Sequence, residues 1–527
     1  MESEVKTKYA RLALLVFPAV VGVTGIVYIL LISPIYKGGL FYDYDPVYAY
    51  LLNGLSILDG NAPDHIDHPG TPLQVLVAMV VLVKWLFTGI NPDMVVDAID
   101  NPEAYIYIIS SVLLSLNVWA TYFFGKKVRD ASGSILSALI CQTAPLIFFI
   151  TVVRVVYLAP EALLVFSSMV LLGLLAPVFF SFDKKQNPIA EVSPVLVGIV
   201  CGLGLAVKVT FLPMLFLLFL LGSRKRVLMG AFYTALGFLL FVSPVLSHAD
   251  KFYAWIIQII MGSGMYGTGT DKFVDFGSIP KRIFDLLRMF PIFYLATFLM
   301  LISVINKFFR KESESKINYV IPLVLLAISF VETILVLKHY SPHYMIAVLP
   351  VCVVGLAWFV RSGVVSNFNG SSKIRMLSVI LAALVVFSIK SASFNIKAIN
   401  SDRSEQINAM NIIEPEIAKY PDAVLLGTYR CTLPECAFLY SAEYSKSINW
   451  RLSSFFTNHV WLNIGNNKIN TFEGGRKEIS SLNQYLDAGR VVLLLSREYP
   501  SLKLLNIEPL VITEGQSLYR VTGIAHN

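Results

Sequence analysis

The chain has 527 residues; 56% are hydrophobic and 15% charged, with 42 Lys and Arg against 35 Asp and Glu. A soluble domain carries about 25% charged residues, so this composition excludes an ordinary soluble enzyme and implies that lipid solvates most of the chain. The net charge of +7 is no nucleic-acid footprint, because the basic residues stand in short clusters between apolar runs; no nucleic acid is expected as a partner.

Apolar runs lie at about 12–32, 105–124, 133–150, 161–180, 195–207, 209–222, 227–246, 291–308, 319–337, 344–360 and 376–392, each read as a membrane span. The first is too long for the apolar core of a cleavable signal and reads as a signal anchor. The pair 195–222 is short and predicts a tight hairpin about Lys208. A further run, 72–89, decides the orientation of everything after it. If it does not cross, Lys126, Lys127, Arg129, Lys184, Lys185, Arg224, Lys225, Arg226, Arg310, Lys311, Lys373 and Arg375 all fall on the cytoplasmic side with the N-terminus. The positive-inside rule therefore favours about eleven spans, with 72–89 a juxtamembrane or re-entrant helix on the outer face.

That orientation puts all seven histidines outside, together with the last part of the chain. Near Ser393 the composition turns polar. Residues 393–527 are expected to form a small extracytoplasmic α/β domain, with a helix at about 404–419 and strands at 423–428, 491–495 and 509–513. Residues 1–392 are the membrane domain. Cys141, Cys201 and Cys352 lie in apolar runs and read as packing residues; Cys431 and Cys436 are able to pair if their domain faces an oxidising compartment. The glycine-rich stretch 261–270 reads equally as a hinge or as an ordinary loop.

The chemistry-bearing residues gather on the outer side. Asp43 and Asp45 follow the first span; two such carboxylates suit a general base and its tuning partner, or a divalent metal. The bland alternative is that Asp45 caps a helix opening with Pro46. Asp64, His65, Asp67 and His68 precede a helix beginning near Thr71 or Pro72, a place where a helix N-terminus favours anions; a Pro-Gly turn with solvated charges is the alternative. Arg154, Glu161, Lys208, Lys338, His339 and His343 sit at the outer ends of apolar runs, where acids to activate an acceptor and cations to hold an anion would meet. Glu332 lies deeper and is expected to pair between helices.

These motifs, in this order, resemble polyprenyl-phosphate-sugar-dependent glycosyltransferases of the GT-C fold, the superfamily of aminoarabinose transferases and protein O-mannosyltransferases. Asp45-Pro46 followed by Tyr48 is similar to the family's acidic loop element, with Pro46 where Glu is frequent. His68-Pro69-Gly70 is similar to its His-Pro-Pro element, with Gly70 for the second proline. Glu161 with Arg154 upstream resembles the second outer acid, the stretch from Gly202 to Lys208 resembles its hairpin motif, and His343-Tyr344 with Leu349-Pro350 resembles its Arg-Tyr-Leu element. The likeness covers about residues 10–390.

The resemblance implies an α-helical multi-pass GT-C-like protein of the inner or plasma membrane. It implies transfer of a sugar from a polyprenyl-phosphate donor to a hydroxyl of a lipid, glycan or protein acceptor on the outer face, with inversion. Asp45 is the implied base, with Asp43 and Glu161 beside it. His68, Arg154, Lys208, His343, Lys338 and His339 are the implied phosphate-binding set; His65, Asp67 and Tyr48 belong to the substrate loop. No cofactor is required, and a divalent metal on Asp43 and Asp45 is left open. The competing readings are a glycan polymerase or ligase using a diphosphate-linked lipid, and a multi-pass transporter or lipid flippase, which would place its charges at the bilayer midplane.

Overall fold

The computed structural model describes residues 9–32, 46–67, 70–181, 189–262, 276–310, 316–362, 370–428, 434–456, 459–463, 468–471, 475–497 and 505–525. It is mostly helical, with a sheet near the C-terminus. Among the described residues, six helices are long and apolar enough to cross a membrane: Tyr9–Leu31, Thr71–Thr88, Pro102–Ser132, Arg224–Met261, Tyr319–Lys338 and Gly370–Ile417. A seventh arises if Phe276–Met289 and Pro291–Asn306, bent by 99°, are one broken span. Other runs expected as spans are shorter helices, among them Pro160–Leu174, Pro194–Val207, Val209–Leu221 and Val351–Arg361. The run expected as a juxtamembrane helix is Thr71–Thr88, whose 18 residues are likewise long and apolar enough to cross a membrane.

Contacts divide the chain into two units, one of residues 1–26, 66–73 and 111–394, the other of residues 27–65, 74–110 and 395–527. In the first unit the expected hairpin is present. Pro194–Val207 ends at Lys208, which is extended (φ −163°, ψ 136°), and the 3-10 helix Val209–Leu221 follows. A Cβ on Gly222 would meet Ile189, so the 3-10 helix returns the chain to the start of Pro194–Val207. The helix Arg224–Val242 then runs alongside in the same direction as Pro194–Val207: a Cβ on Gly198 would lie 2.5 Å from Gly230 O, and one on Gly202 2.6 Å from both Thr234 O and Phe238 N. Glycines four residues apart let two helix backbones approach this closely, the usual device for packing helices in lipid.

The second unit holds a seven-stranded sheet, ordered β4-β3-β2-β1-β5-β7-β6, with β1 Val424–Gly427, β2 His459–Asn463, β3 Lys468–Thr471, β4 Gly475–Glu478, β5 Val492–Ser496, β6 Leu505–Val511 and β7 Ser517–Ile524. β1 is parallel to β2 and β5, and the remaining pairs are antiparallel. β5 is buried along its whole length, as a central strand covered on both faces requires. β6 carries Pro509 and two register shifts, features that only an edge strand tolerates. Two expected strands coincide with β1 and β5, and the third begins earlier, at Leu505. The expected helix at 404–419 is the end of one 48-residue helix, Gly370–Ile417. Composition changes at residue 393, but no Gly or Pro interrupts the backbone before Pro415, so the helix continues.

Candidate functional site

A buried ion pair organises the polar side chains of the first unit. Lys208 Nζ donates to Glu161 Oε1 at 2.7 Å, and both side chains are about 5% exposed or less. Each owes its place to a break in helix geometry. Glu161 sits in the first turn of Pro160–Leu174, where Pro at the first helical position starts the helix and a carboxylate is favoured by its dipole. Lys208 occupies the extended hairpin tip, held under the Tyr344 ring with Nζ 5.1 Å from the centroid. His343 Nδ1 is hydrogen-bonded to Ser341 Oγ at 2.7 Å, and its ring meets Tyr344 edge-on at 4.4 Å. Arg154 ends the short helix Phe149–Arg154, its guanidinium 4.8 Å from the Tyr157 ring centre. Arg154, Lys208 and Glu161 all act electrostatically on His343. Burial pushes the His343 imidazole down to about 3, Lys208 and Arg154 add to the fall, and Glu161 opposes it. His343 is therefore neutral near pH 7 and offers a hydrogen bond rather than a charge.

Two polar residues that the sequence reasoning passed over hold this arrangement. Asn117, fully buried in Pro102–Ser132, donates from its amide to Val155 O at 3.3 Å and Ala162 O at 3.1 Å, pinning the turn that joins Arg154 to Glu161. Ser168 donates to Ala347 O at 2.6 Å, fastening Pro160–Leu174 to the 3-10 turn Pro342–Ala347 that carries His343. The available signal was an Asn and a Ser inside otherwise apolar helices, where an unpaired polar group is costly.

Lys338 and His339 are engaged elsewhere in the same unit. Lys338 Nζ donates to Ile260 O, and His339 Nε2 bonds Ile259 O at 3.0 Å, so both serve the last carbonyls of Ala249–Met261. Glu332 is fully buried and, among the described residues, neither carboxylate oxygen has a hydrogen-bond partner, in place of the interhelical pair expected.

Asp43, Asp45 and His68 lie outside the described residues, as does Cys431. Cys436 is disulfide-bonded, and Cys141, Cys201 and Cys352 are free and buried. The helix following the first acidic pair is Val47–Leu58, with Pro46 rather than Asp45 at its N-cap position and no side-chain cap bond. Tyr48 is fully buried against the edge of Phe438 at 4.9 Å. His65 stands between Tyr50 and Tyr444, each ring edge-on at 5.3 Å. Asp67 is half-buried, and the next helix begins at Thr71 as expected. Among the described residues no three His, Cys, Asp or Glu side chains group as metal ligands.

No family model and no curated protein matches the sequence. Solved structures do. The chain is similar to ArnT from Cupriavidus metallidurans. That structure, bound to undecaprenyl phosphate, aligns with a TM-score of 0.48 and 12% identity over 96% of this chain and 97% of that one. The Archaeoglobus fulgidus oligosaccharyltransferase tethered to an acceptor peptide containing the NVT sequon aligns with a TM-score of 0.44 and 12% identity over 93% of this chain and 69% of that one.

Proposed function

We propose that the protein is a multi-pass membrane glycosyltransferase that moves a sugar from a polyprenyl-phosphate donor to an acceptor hydroxyl on the outer face. The observation that carries this reading is the Glu161–Lys208 pair with Arg154 and His343 around it. Two cationic side chains, Lys208 and Arg154, gather with Glu161 and the His343 imidazole at the mouth of the Pro160–Leu174 helix, whose N-terminal dipole favours an anion. Cationic side chains beside a helix N-terminus in an apolar protein suit an anion that arrives from the lipid, such as a lipid phosphate.

In this reading Asp45 takes the proton of the acceptor hydroxyl as its oxygen bonds to the anomeric carbon. The bond from that carbon to the phosphate oxygen breaks, and the phosphate leaves with the electron pair. Arg154 and Lys208 stabilise the developing phosphate charge, His343 and His68 donate hydrogen bonds to it, and a single displacement inverts the centre. Lys338 and His339 act one step back, by fixing the end of Ala249–Met261. About eleven spans with the N-terminus cytoplasmic follow from the positive-inside rule. The disulfide at Cys436 supports an oxidising, extracytoplasmic location for the sheet-containing region. The undecaprenyl phosphate of the ArnT structure is the class of ligand proposed here.

The test is transfer of radiolabelled sugar from polyprenyl-phosphate donors in membranes containing wild type or Asp45→Asn. The expected result is transfer by the wild type and its loss in the variant. Transfer near the wild-type rate by a folded Asp45→Asn protein overturns the assignment of the base.

A further inference from the structure

We propose that Asn53 and Arg451 are positioning residues that strap the acidic first loop to residues 444–451, so that the C-terminal region sets the geometry of the reaction without touching substrate. This rests on the reading of Asp45 as the base. All of the groups involved belong to the second unit.

Asn53 is fully buried in the apolar helix Val47–Leu58, a position where Leu would pack without a polar cost. Four of its five amide hydrogen bonds leave its own helix. The carbonyl oxygen accepts the Asp64 N–H at 2.7 Å and the His65 N–H at 3.0 Å; the amide nitrogen donates to Tyr444 O at 3.0 Å and Ser445 Oγ at 2.8 Å, besides Ala49 O at 2.7 Å. One side chain thus joins the helix, the loop after it and the C-terminal segment.

Neighbouring bonds repeat the connection. The Asp64 carboxylate accepts the Ser447 N–H at 2.8 Å, and the Ser447 and Ser56 hydroxyls are 3.0 Å apart. Gln74 Nε2 donates to His65 O at 2.7 Å. Further along, Arg451 donates to Asp93 Oδ2 at 2.6 Å and to the Asp59 carboxylate, with its guanidinium over the Trp450 ring. Burial works to raise the Asp93 carboxyl, but the Arg451 bond and the Val95 and Val96 N–H groups outweigh it and hold that carboxyl below the usual range.

The consequence for chemistry follows from the chain itself. Val47–Leu58 starts two residues after Asp45, so whatever fixes that helix fixes the point from which the base projects. A displacement of about 1 Å at a reacting group costs up to about 100-fold in rate.

The experiment measures hydrogen exchange and steady-state transfer on the full-length protein in nanodiscs, with polyprenyl-phosphate sugar as donor. Asn53→Ala is expected to speed exchange of the Asp64 and His65 amides by about 10-fold, the effect of one lost buried hydrogen bond, with peptides from β1 and β5 unchanged. kcat is expected to fall about 10- to 100-fold with KM for the donor unchanged. Arg451→Gln, which removes two carboxylate contacts but none of the Asn53 bonds, should show the same pattern more weakly, and Arg451→Lys should restore part of it. Unaltered exchange in both folded variants overturns the strap, whether or not the wild type transfers sugar. Faster exchange with wild-type kcat, or a rise in KM at constant kcat, overturns the positioning role. A wild type that transfers no sugar from this donor sinks the functional reading, while the exchange result still decides the strap.

Discussion

Removing one member of the Glu161–Lys208 pair is predicted to destabilise the first unit far more than removing both. At 2.7 Å the Coulomb attraction is about 6 kcal/mol for an effective dielectric near 20. Desolvation of two nearly buried side chains offsets much of that, so the pair contributes little net stability compared with an apolar pair of similar volume. Glu161→Leu or Lys208→Met alone leaves a buried charge without its partner. Each is expected to cost about 3–5 kcal/mol; Lys208 without Glu161 still lies beside the Tyr344 ring, which does not replace a carboxylate. The double substitution is expected to come back to within about 1–2 kcal/mol of wild type. Unfolding of the purified proteins in detergent, followed by denaturant titration, gives the complete cycle. Sugar transfer measured on the same samples should be lost in all three variants, so the double variant is stable and inactive. A double variant as unstable as the sum of the singles would refute the electrostatic reasoning; one that transfers sugar normally would refute the role given to the pair.

Gly202→Ala is expected to lower stability by about 1–3 kcal/mol, because its Cβ would stand 2.6 Å from Phe238 N and Thr234 O and force two helix backbones apart; a thermal shift assay that finds no change would contradict this. His459 gives a pH dependence. Burial pushes its imidazole down to about 4, below an unfolded value of about 6.5. The stability it contributes is therefore present above pH 6.5 and is lost as pH falls from 6.5 to 4, by roughly 2–4 kcal/mol. His459→Gln should flatten that part of the pH–stability profile, and an unchanged profile would count against it. Asn117→Leu removes the amide that holds Val155 O and Ala162 O; kcat should fall with donor affinity reduced as well, since both Arg154 and Glu161 flank that turn, and normal kinetics would show that Asn117 only packs.

The parts legible in sequence were those governed by hydrophobicity and charge. Long apolar runs predicted helices, and the basic Lys208 between two short runs predicted the hairpin tip. Short continuous apolar runs in the polar C-terminal stretch marked β1 and β5. What could not be read depended on partners distant in sequence. Nothing local distinguishes Asn53 from a tolerated polar residue until residues 444 and 445 meet it, 391 and 392 positions away. Glu161 and Lys208 were recognised individually, but their pairing across 47 residues changes the meaning of both, from an acid and a cation to one internally compensated unit. The change from apolar to polar composition near residue 393 marks a change of solvent along a continuous helix, since helix propensity is indifferent to which phase the side chains face.

The measurement that tests the central claim most directly follows both products of the reaction. Purified wild-type protein and Asp45→Asn, each in proteoliposomes, are given either a polyprenyl-phosphate sugar or its diphosphate-linked counterpart, and the released lipid is identified by mass alongside the glycosylated acceptor. The account predicts polyprenyl monophosphate released in step with sugar transferred, from the monophosphate donor, and neither product with Asp45→Asn. Transfer from the diphosphate donor alone, or undiminished transfer by a folded Asp45→Asn protein, would contradict it.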